Sequence, residues 1–298
     1  MVDTRGQQDI FGLDIDKFVQ GVEKFTYNFI DEFQKTTIKG DSKRWFSKSP
    51  VRLAALTSPS ATKNVSPGSR PATMEVSWVR NTSYVKKYFV EGFLDKEDIS
   101  DAEIDTYGTT LQDLTERIVR DRNIDLYDVM TEGLAPTGLA AGGVQTFATT
   151  AVGGDQWDAA NYAADPIKDF NRAIRLIQAA GFPDQIKAIM DPVAYESLIN
   201  WLLSGKGSSI PGFSSEKIKS GVVMEFLGVS IKVSTEATTD YVLFTIGSRA
   251  QSYAEAEAMT GNTTIDPGIG RNIRVWTRGI GYRTNPTGNV LVTDINTA

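Results

Sequence analysis

The sequence predicts an α+β fold built on a long helix, and three observations carry that prediction. One helical pattern runs unbroken for 33 residues from Ser100 to Glu132, helices and short strands alternate between about 135 and 246, and long strands without local helices follow residue 250. At about 1.5 Å per residue the helix spans on the order of 50 Å, more than a compact domain needs. It reads as a strut for something flat and wide.

The strut is marked at both ends. Ser100 and Glu103 form a capping box, and Gly133 followed by Pro136 stops the helix. Ile104, Tyr107, Leu111, Leu114 and Ile118 recur at spacings of three and four, and Val119, Leu126, Tyr127 and Met130 continue on a slightly rotated face. The apolar stripe is narrow, so one side packs. The other faces carry Asp113, Glu116, Arg117, Arg120, Asp121, Arg122, Asp125 and Asp128. Asp121, Asp125 and Asp128 share a face and could hold a hard cation, but the arginines among them favour a solvated or intersubunit ion-pair surface. Gly108, at about 1 kcal/mol against alanine, is a weak point that hints at close packing or a bend, and a break there into two short helices would remove the strut.

Before the strut, Phe11, Leu13, Ile15, Phe18, Val22, Phe25, Phe29, Ile30 and Phe33 make an aromatic segment with helical spacing from about Asp14. It is either a first helix docked on its own core or an arm docked on a neighbour. The sequence then decays into polar residues from Lys39 to Arg44. Residues 51 to 93 read as a two-stranded ribbon: Val51 to Leu56 leads in, Met74, Val76 and Trp78 alternate with polar neighbours, and Tyr84 to Val90 continues. Its tip, with Pro59, Pro67, Gly68 and Pro71, has too few apolar groups to pack alone.

After the strut a Gly and Ala rich connection near residue 135 marks a boundary. Asp165 caps and Pro166 starts a helix through Ile167, Phe170, Ile174 and Ile177, and Ile186 to Met190 is a strand. Asp191 and Pro192 start a second helix running to Gly205, and strands follow at Val222 to Phe226, Val229 to Val233 and Tyr241 to Ile246, the first two flanking a Leu227-Gly228 turn. The terminal strands are Ser252 to Met259, Asn272 to Tyr282 and Asn289 to Ile295. The strut is their natural cover.

Composition removes whole classes of chemistry. The chain has no cysteine and no histidine, so disulfides, imidazole metal ligands and the Ser-His-Asp and Cys-His nucleophile systems are excluded. A net charge of −6 argues against tight wrapping of nucleic acid. No secretory signal and no apolar run long enough for a membrane span is read. Gly205 to Ser208 lacks the earlier glycine of a phosphate loop, because Asn200 stands there, and Gly268-Ile269-Gly270 and Gly279-Ile280-Gly281 read as turn and bulge rather than nucleotide loops. The Asn64, Asn81 and Asn262 glycosylation patterns carry no weight without a signal peptide. No carboxylate pair stands out for acid-base work, and no cofactor is implied.

Taken in order, F-V-E-G-F-L-D leading into D-I-S-D-A-E-I-D, then V-M-T-E-G with P-T-G, then A-D-P-I-K-D-F with A-A-G-F-P and M-D-P-V-A-Y-E-S-L, the chain resembles tailed-phage major capsid proteins of the Hong Kong type fold, which encapsulin shells share. The resemblance implies an N-terminal arm at 1–50, an extended β-hairpin loop at 51–92, a peripheral domain with a long spine helix at 93–134 and 247–298, and an axial α+β domain at 135–246. It implies a structural protein, not an enzyme, whose copies form hexamers and pentamers of an icosahedral shell around double-stranded DNA, assembled in the host cytoplasm into a virion. Portal, scaffolding or decoration proteins are further partners it implies, and no membrane is. Lys63, Arg70, Arg117, Asp121, Arg122, Asp125 and Asp128 are the expected intersubunit contacts. No long scaffolding segment precedes the arm, which implies a separate scaffold or a processed form, and Lys63 lies in the kind of loop that some relatives cross-link. An encapsulin-like compartment is the alternative within the fold, and a carboxylate-dependent hydrolase the alternative outside it.

Overall fold

The computed structural model describes residues 15–23, 29–48, 68, 78–97, 106–131, 144–150, 155–159, 164–183, 185–203 and 225–296. Among the described residues the strands form three sheets, two of them packed on one long helix. The four-stranded sheet has the order β1 (Gln34–Thr37), β10 (Gln251–Asp266), β11 (Gly270–Arg283), β4 (Lys86–Asp95). The six-stranded sheet has the order β5 (Gln145–Ala148), β12 (Asn289–Thr293), β9 (Val242–Thr245), β6 (Lys187–Met190), β8 (Val229–Val233), β7 (Glu225–Phe226). β2 (Ser42–Lys48) and β3 (Trp78–Tyr84) form a separate antiparallel ribbon.

The spine helix, Thr106–Thr131, is continuous through Gly108, so the break does not occur. Its predicted start at Ser100 and Glu103 and stop at Gly133 and Pro136 lie outside the described residues. Both halves of the apolar stripe are used, but against different partners. Leu111, Ile118 and Val119 pack on Met259, Ile273 and Val275 of the long strands. Leu126, Tyr127 and Met130 pack with Phe29, Ile30 and Phe33 and with Ile189, Leu243 and Leu291 of the six-stranded sheet. The helix is therefore the beam that joins the two sheets. Each fully buried side chain of this size contributes about 1.5–3 kcal/mol.

Close approach on the sheet side depends on glycine. A Cβ at Gly281 would lie 2.7 Å from Leu126 of the helix, and one at Gly279 would lie 2.0 Å from the Tyr253 hydroxyl on the neighbouring strand. These are the residues read as a strand bulge; the register shifts fall on β10, between Glu255 and Thr260, opposite Gly279 and Arg278. The other glycine pair opens on a turn at 267–269 with Gly268 at φ +85°, as expected.

The described part of the alternating region folds as read; the end of its second helix at 204–205 and the start of the strand at 222–224 lie outside the described residues. Asp165 accepts from the Lys168 amide, capping the helix Pro166–Ala179, and a second helix spans Pro192–Leu203. Phe170 is the centre of this core, with Phe226 and Phe244 each at 4.9 Å in edge contact. Leu227 and Gly228, both at positive φ, close the two-residue hairpin between β7 and β8.

Four placements differ from the sequence reading. The strand at 289–293 does not share a sheet with β10 and β11; it meets the last turns of the spine helix through Leu291 but sits inside the six-stranded sheet between β5 and β9, where Asn289–Val292 is buried on both faces, as a central strand is. Residues 42–44, read as the end of a polar decay, begin β2, since Trp45 supplies an inward anchor and β3 supplies hydrogen bonds. Tyr84 to Val90 is not one strand: the chain changes sheet at Val85, whose amide donates to the Asp41 carbonyl, so that β4 joins the body. β1 and β5, each four residues long and without an alternating signature, went unread.

The first helix, 15–23, docks on its own chain. Ile15 and Val19 pack against Leu111, Ile118 and Met259, and the Gly261 amide donates to Asp16 at 3.0 Å. The leading strand at 51–56, nearly all of the loop tip and Gly205 to Ser208 lie outside the described residues.

Candidate functional site

The outer rows of the spine helix combine opposite charges in short-range pairs. Arg117 reaches Asp121 one turn on at 3.3 Å, and Arg120 reaches Glu236 at 3.3 Å. Asp125 is held twice from β4, by Lys86 at 2.8 Å and by the Tyr88 hydroxyl, which donates at 2.7 Å. Burial and the neighbouring Asp125 carboxylate push the Tyr88 phenol well above its ordinary range, so it stays protonated and able to donate. Asp128 is also raised, first by burial and then by Asp125, with Lys86 opposing. Such exposed pairs are worth about 0–1 kcal/mol each and do not hold the fold together. Among the described residues no group of three or more carboxylates is placed to hold a metal ion.

Arg122 is a correction. It was expected on the outward row, but its side chain is 0% exposed and its guanidinium Nη2 donates to Glu23 of the first helix at 2.8 Å. Nε and Nη1 make no hydrogen bond of good geometry, and the buried Tyr253 hydroxyl lies beside the guanidinium; burial pushes its pKa up to about 12 while the Arg122 charge and hydrogen bonding pull it down. The reason is helical spacing: Leu111, Thr115, Ile118, Arg122 and Leu126 run down one buried face at steps of three and four. Arg122 stands on the apolar stripe rather than beside it. Of the other expected contacts, Arg117 is exposed, Asp121, Asp125 and Asp128 are partly exposed, and Lys63 and Arg70 lie outside the described residues.

Two tethers went unread. Glu32, fully buried in the 3-10 turn Phe29–Glu32, receives Lys187 of β6 at 2.8 Å and Lys232 of β8, tying the N-terminal segment to the six-stranded sheet. At the end of the spine, Asn289 donates to the Met130 carbonyl and to Gln251 while accepting from Thr245. Both nodes join residues more than a hundred positions apart, which no local spacing encodes.

This beam of helix between a long-stranded sheet and an α/β-type sheet, with a ribbon projecting from the body, is the Hong Kong type capsid fold. Solved structures agree along most of the chain. A virus-like particle from Pyrococcus furiosus matches with a TM-score of 0.62 at 13% identity, covering 95% of this chain and 99% of that one. The capsid structure of the cyanophage P-SCSP1u matches at TM-score 0.63 and 14% identity, covering 90% and 88%. A structure from Microbacterium phage Oxtober96 matches at 0.63 and 15%, covering 89% and 90%. No protein-family model and no curated protein sequence matches the chain.

Proposed function

We propose that this chain is the shell-forming subunit of an icosahedral container, assembling as hexamers and pentamers around double-stranded DNA, and that it is a structural protein rather than an enzyme. The observation that carries the reading is the near-complete two-way coverage of shell-forming structures at 10–16% identity: the whole architecture is kept while the sequence is not. The ribbon of β2 and β3 acts as the extended loop over a neighbour, and the two sheets as peripheral and axial units, with the first helix, 29–37 and β4 built into the body of their own subunit. Arg117, Asp121, Asp125 and Asp128, with Lys63 and Arg70 of the loop, are the contacts offered to neighbouring copies. Assembly takes place in the host cytoplasm, with portal, scaffolding or decoration proteins as further partners.

An encapsulin-like compartment is the second reading, favoured by the coverage of the Pyrococcus furiosus particle. Purified particles separate the two. Nuclease-protected double-stranded DNA supports the virus shell; a co-purifying cargo protein released on denaturation, with no protected DNA, supports the compartment.

A further inference from the structure

The strands that end the two body sheets are unequal. β1, β5 and β7 are four, four and two residues long. β4 is ten residues long, pairs with β11 without a bulge, and among the described residues no strand pairs with its outer side. Folded proteins keep such edges short, bulged or covered, because a straight row of unpaired backbone groups recruits another strand. The ladder shows which groups those are. The Lys96 amide donates to the carbonyl of Ile269 at 3.0 Å, and the register sets these two residues opposite each other. Hydrogen-bonded pairs alternate along an antiparallel ladder, so Tyr88, Val90, Gly92 and Leu94 bond β11, while Lys87, Phe89, Glu91, Phe93 and Asp95 hold their N–H and C=O groups toward the open side.

The side chains of that second set point away from the spine helix, since Tyr88, Val90 and Leu94 pack on the helix side. Phe89 and Phe93 are each 50% exposed, Lys87 stands 5.1 Å over the Phe89 ring, and Arg274 holds Glu91 at 3.1 Å. Along the strand the row runs basic, aromatic, acidic, aromatic, acidic, and it complements its own reverse. Laid antiparallel on a second copy about a two-fold axis at Glu91, Lys87 falls opposite Asp95 and Phe89 opposite Phe93, twice each, and opposite charges and paired aromatics are the cross-strand pairs that stabilise a sheet. The two Glu91 carboxylates meet at the axis, each with its own Arg274. An axis at Val90 would set Lys87 against Phe93 and Phe89 against Glu91, one at Gly92 would set Phe89 against Asp95, and one at Phe89 would leave Phe93 and Asp95 without partners. Charge complementarity therefore selects both the occupant and the register.

We propose that β4 pairs with β4 of a second copy of this chain, joining two four-stranded sheets into one across a two-fold axis at Glu91. Such a contact is isologous, each copy giving the same patch. The inference rests on the shell reading for its axis, because a closed icosahedral shell contains two-folds, and it adds the strand and the register that one of them uses.

The chain has no cysteine, so single cysteines report the register on a clean background. Opposite residues of a hydrogen-bonded pair stand about 5.5 Å apart at Cα, within the span of a disulfide. Full-length Glu91→Cys, Phe89→Cys and Val193→Cys variants, the last at a site 48% exposed on the helix Pro192–Leu203, are oxidised with diamide and read on non-reducing gels, with folding checked by circular dichroism and particles by negative-stain microscopy. The proposal expects Glu91→Cys to form dimers at least tenfold faster than either other variant. Adding Lys87→Asp should slow that cross-link at least fivefold, and adding Asp95→Lys as well should restore it to within twofold. Should Glu91→Cys misfold, sedimentation of the wild type, Lys87→Asp and Lys87→Asp/Asp95→Lys decides by the same loss and recovery of self-association. Glu91→Cys no faster than Val193→Cys, Phe89→Cys the fastest of the three, or no recovery in the charge swap overturns the proposal, and closed particles in the same samples leave the shell reading standing. Glu91 cross-linked dimers with no particles under any condition uphold the pairing and overturn the shell reading.

Discussion

Glu23 and Arg122 should respond to substitution in opposite ways. Arg122 is fully buried, Glu23 lies 2.8 Å away with its side chain 20% exposed, and only one of the three guanidinium nitrogens reaches that carboxylate. Glu23→Gln removes the compensating charge and strands a buried guanidinium; breaking a buried pair from one side costs about 3–5 kcal/mol. Water already reaches Glu23, so the lower end applies, about 3 kcal/mol. Arg122→Met removes the buried charge, keeps an unbranched apolar stem in the stripe and leaves Glu23 to turn to solvent. Replacing a buried charge by a well-fitting apolar group is often neutral or stabilising, and a change within about 1 kcal/mol of zero is expected. In a chain of this size the first substitution lowers Tm by about 6 °C and the second barely moves it. Urea denaturation of unassembled subunits, followed by tryptophan fluorescence, reads both. Equal costs, or a larger loss from Arg122→Met, would refute the view that the Arg122 charge is a burden that Glu23 offsets.

Three further outcomes follow from the same geometry. Gly279→Ala places a Cβ 2.0 Å from the buried Tyr253 hydroxyl and should destabilise by about 1–3 kcal/mol; in a Tyr253→Leu background the same change should cost less than half as much, measured as a double-mutant cycle in urea. Glu32→Gln releases Lys187 and Lys232, which are about a third exposed and can rehydrate, so a loss of about 2 kcal/mol with faster amide exchange at Phe29 to Phe33 is expected. Burial raises the folded-state pKa of Asp169 above its unfolded value, although the Trp157 indole N–H opposes this. A carboxyl group raised in the fold binds its proton more tightly there, so its ionisation weakens folding as pH climbs from the unfolded pKa, about 3.9, through the folded one. Asp169→Asn should therefore match the wild type in urea at pH 3 and equal or exceed it at pH 7; a stability deficit present only at pH 7 would contradict the sign.

Legibility followed the range of the interaction. The spine helix, the Asp165 cap, the two-residue hairpin at Leu227-Gly228 and the turn at Gly268 were readable because each depends on residues a few positions apart. β12 was misplaced because a strand buried on both faces and one covered by a helix give the same apolar run when no partner is known. Arg122 carries a charge that points to an outward row, yet four residues from Ile118 and four from Leu126 it falls on the stripe. The ribbon's start at Ser42 was hidden because its outer face is meant to be exposed, so Arg44 and Phe46 show no alternation of polar with apolar. Glu32 with Lys187 and Lys232 could not be seen at all, since their meeting is made by the fold.

The central claim is that these subunits close into shells. Negative-stain microscopy with sedimentation of the pure full-length protein, across pH, salt and crowding conditions and with co-expressed scaffold where one is found, tests it most directly. The account predicts hexameric and pentameric capsomers and closed particles of uniform diameter. Monomers or dimers alone under every condition, with no capsomers, would contradict it.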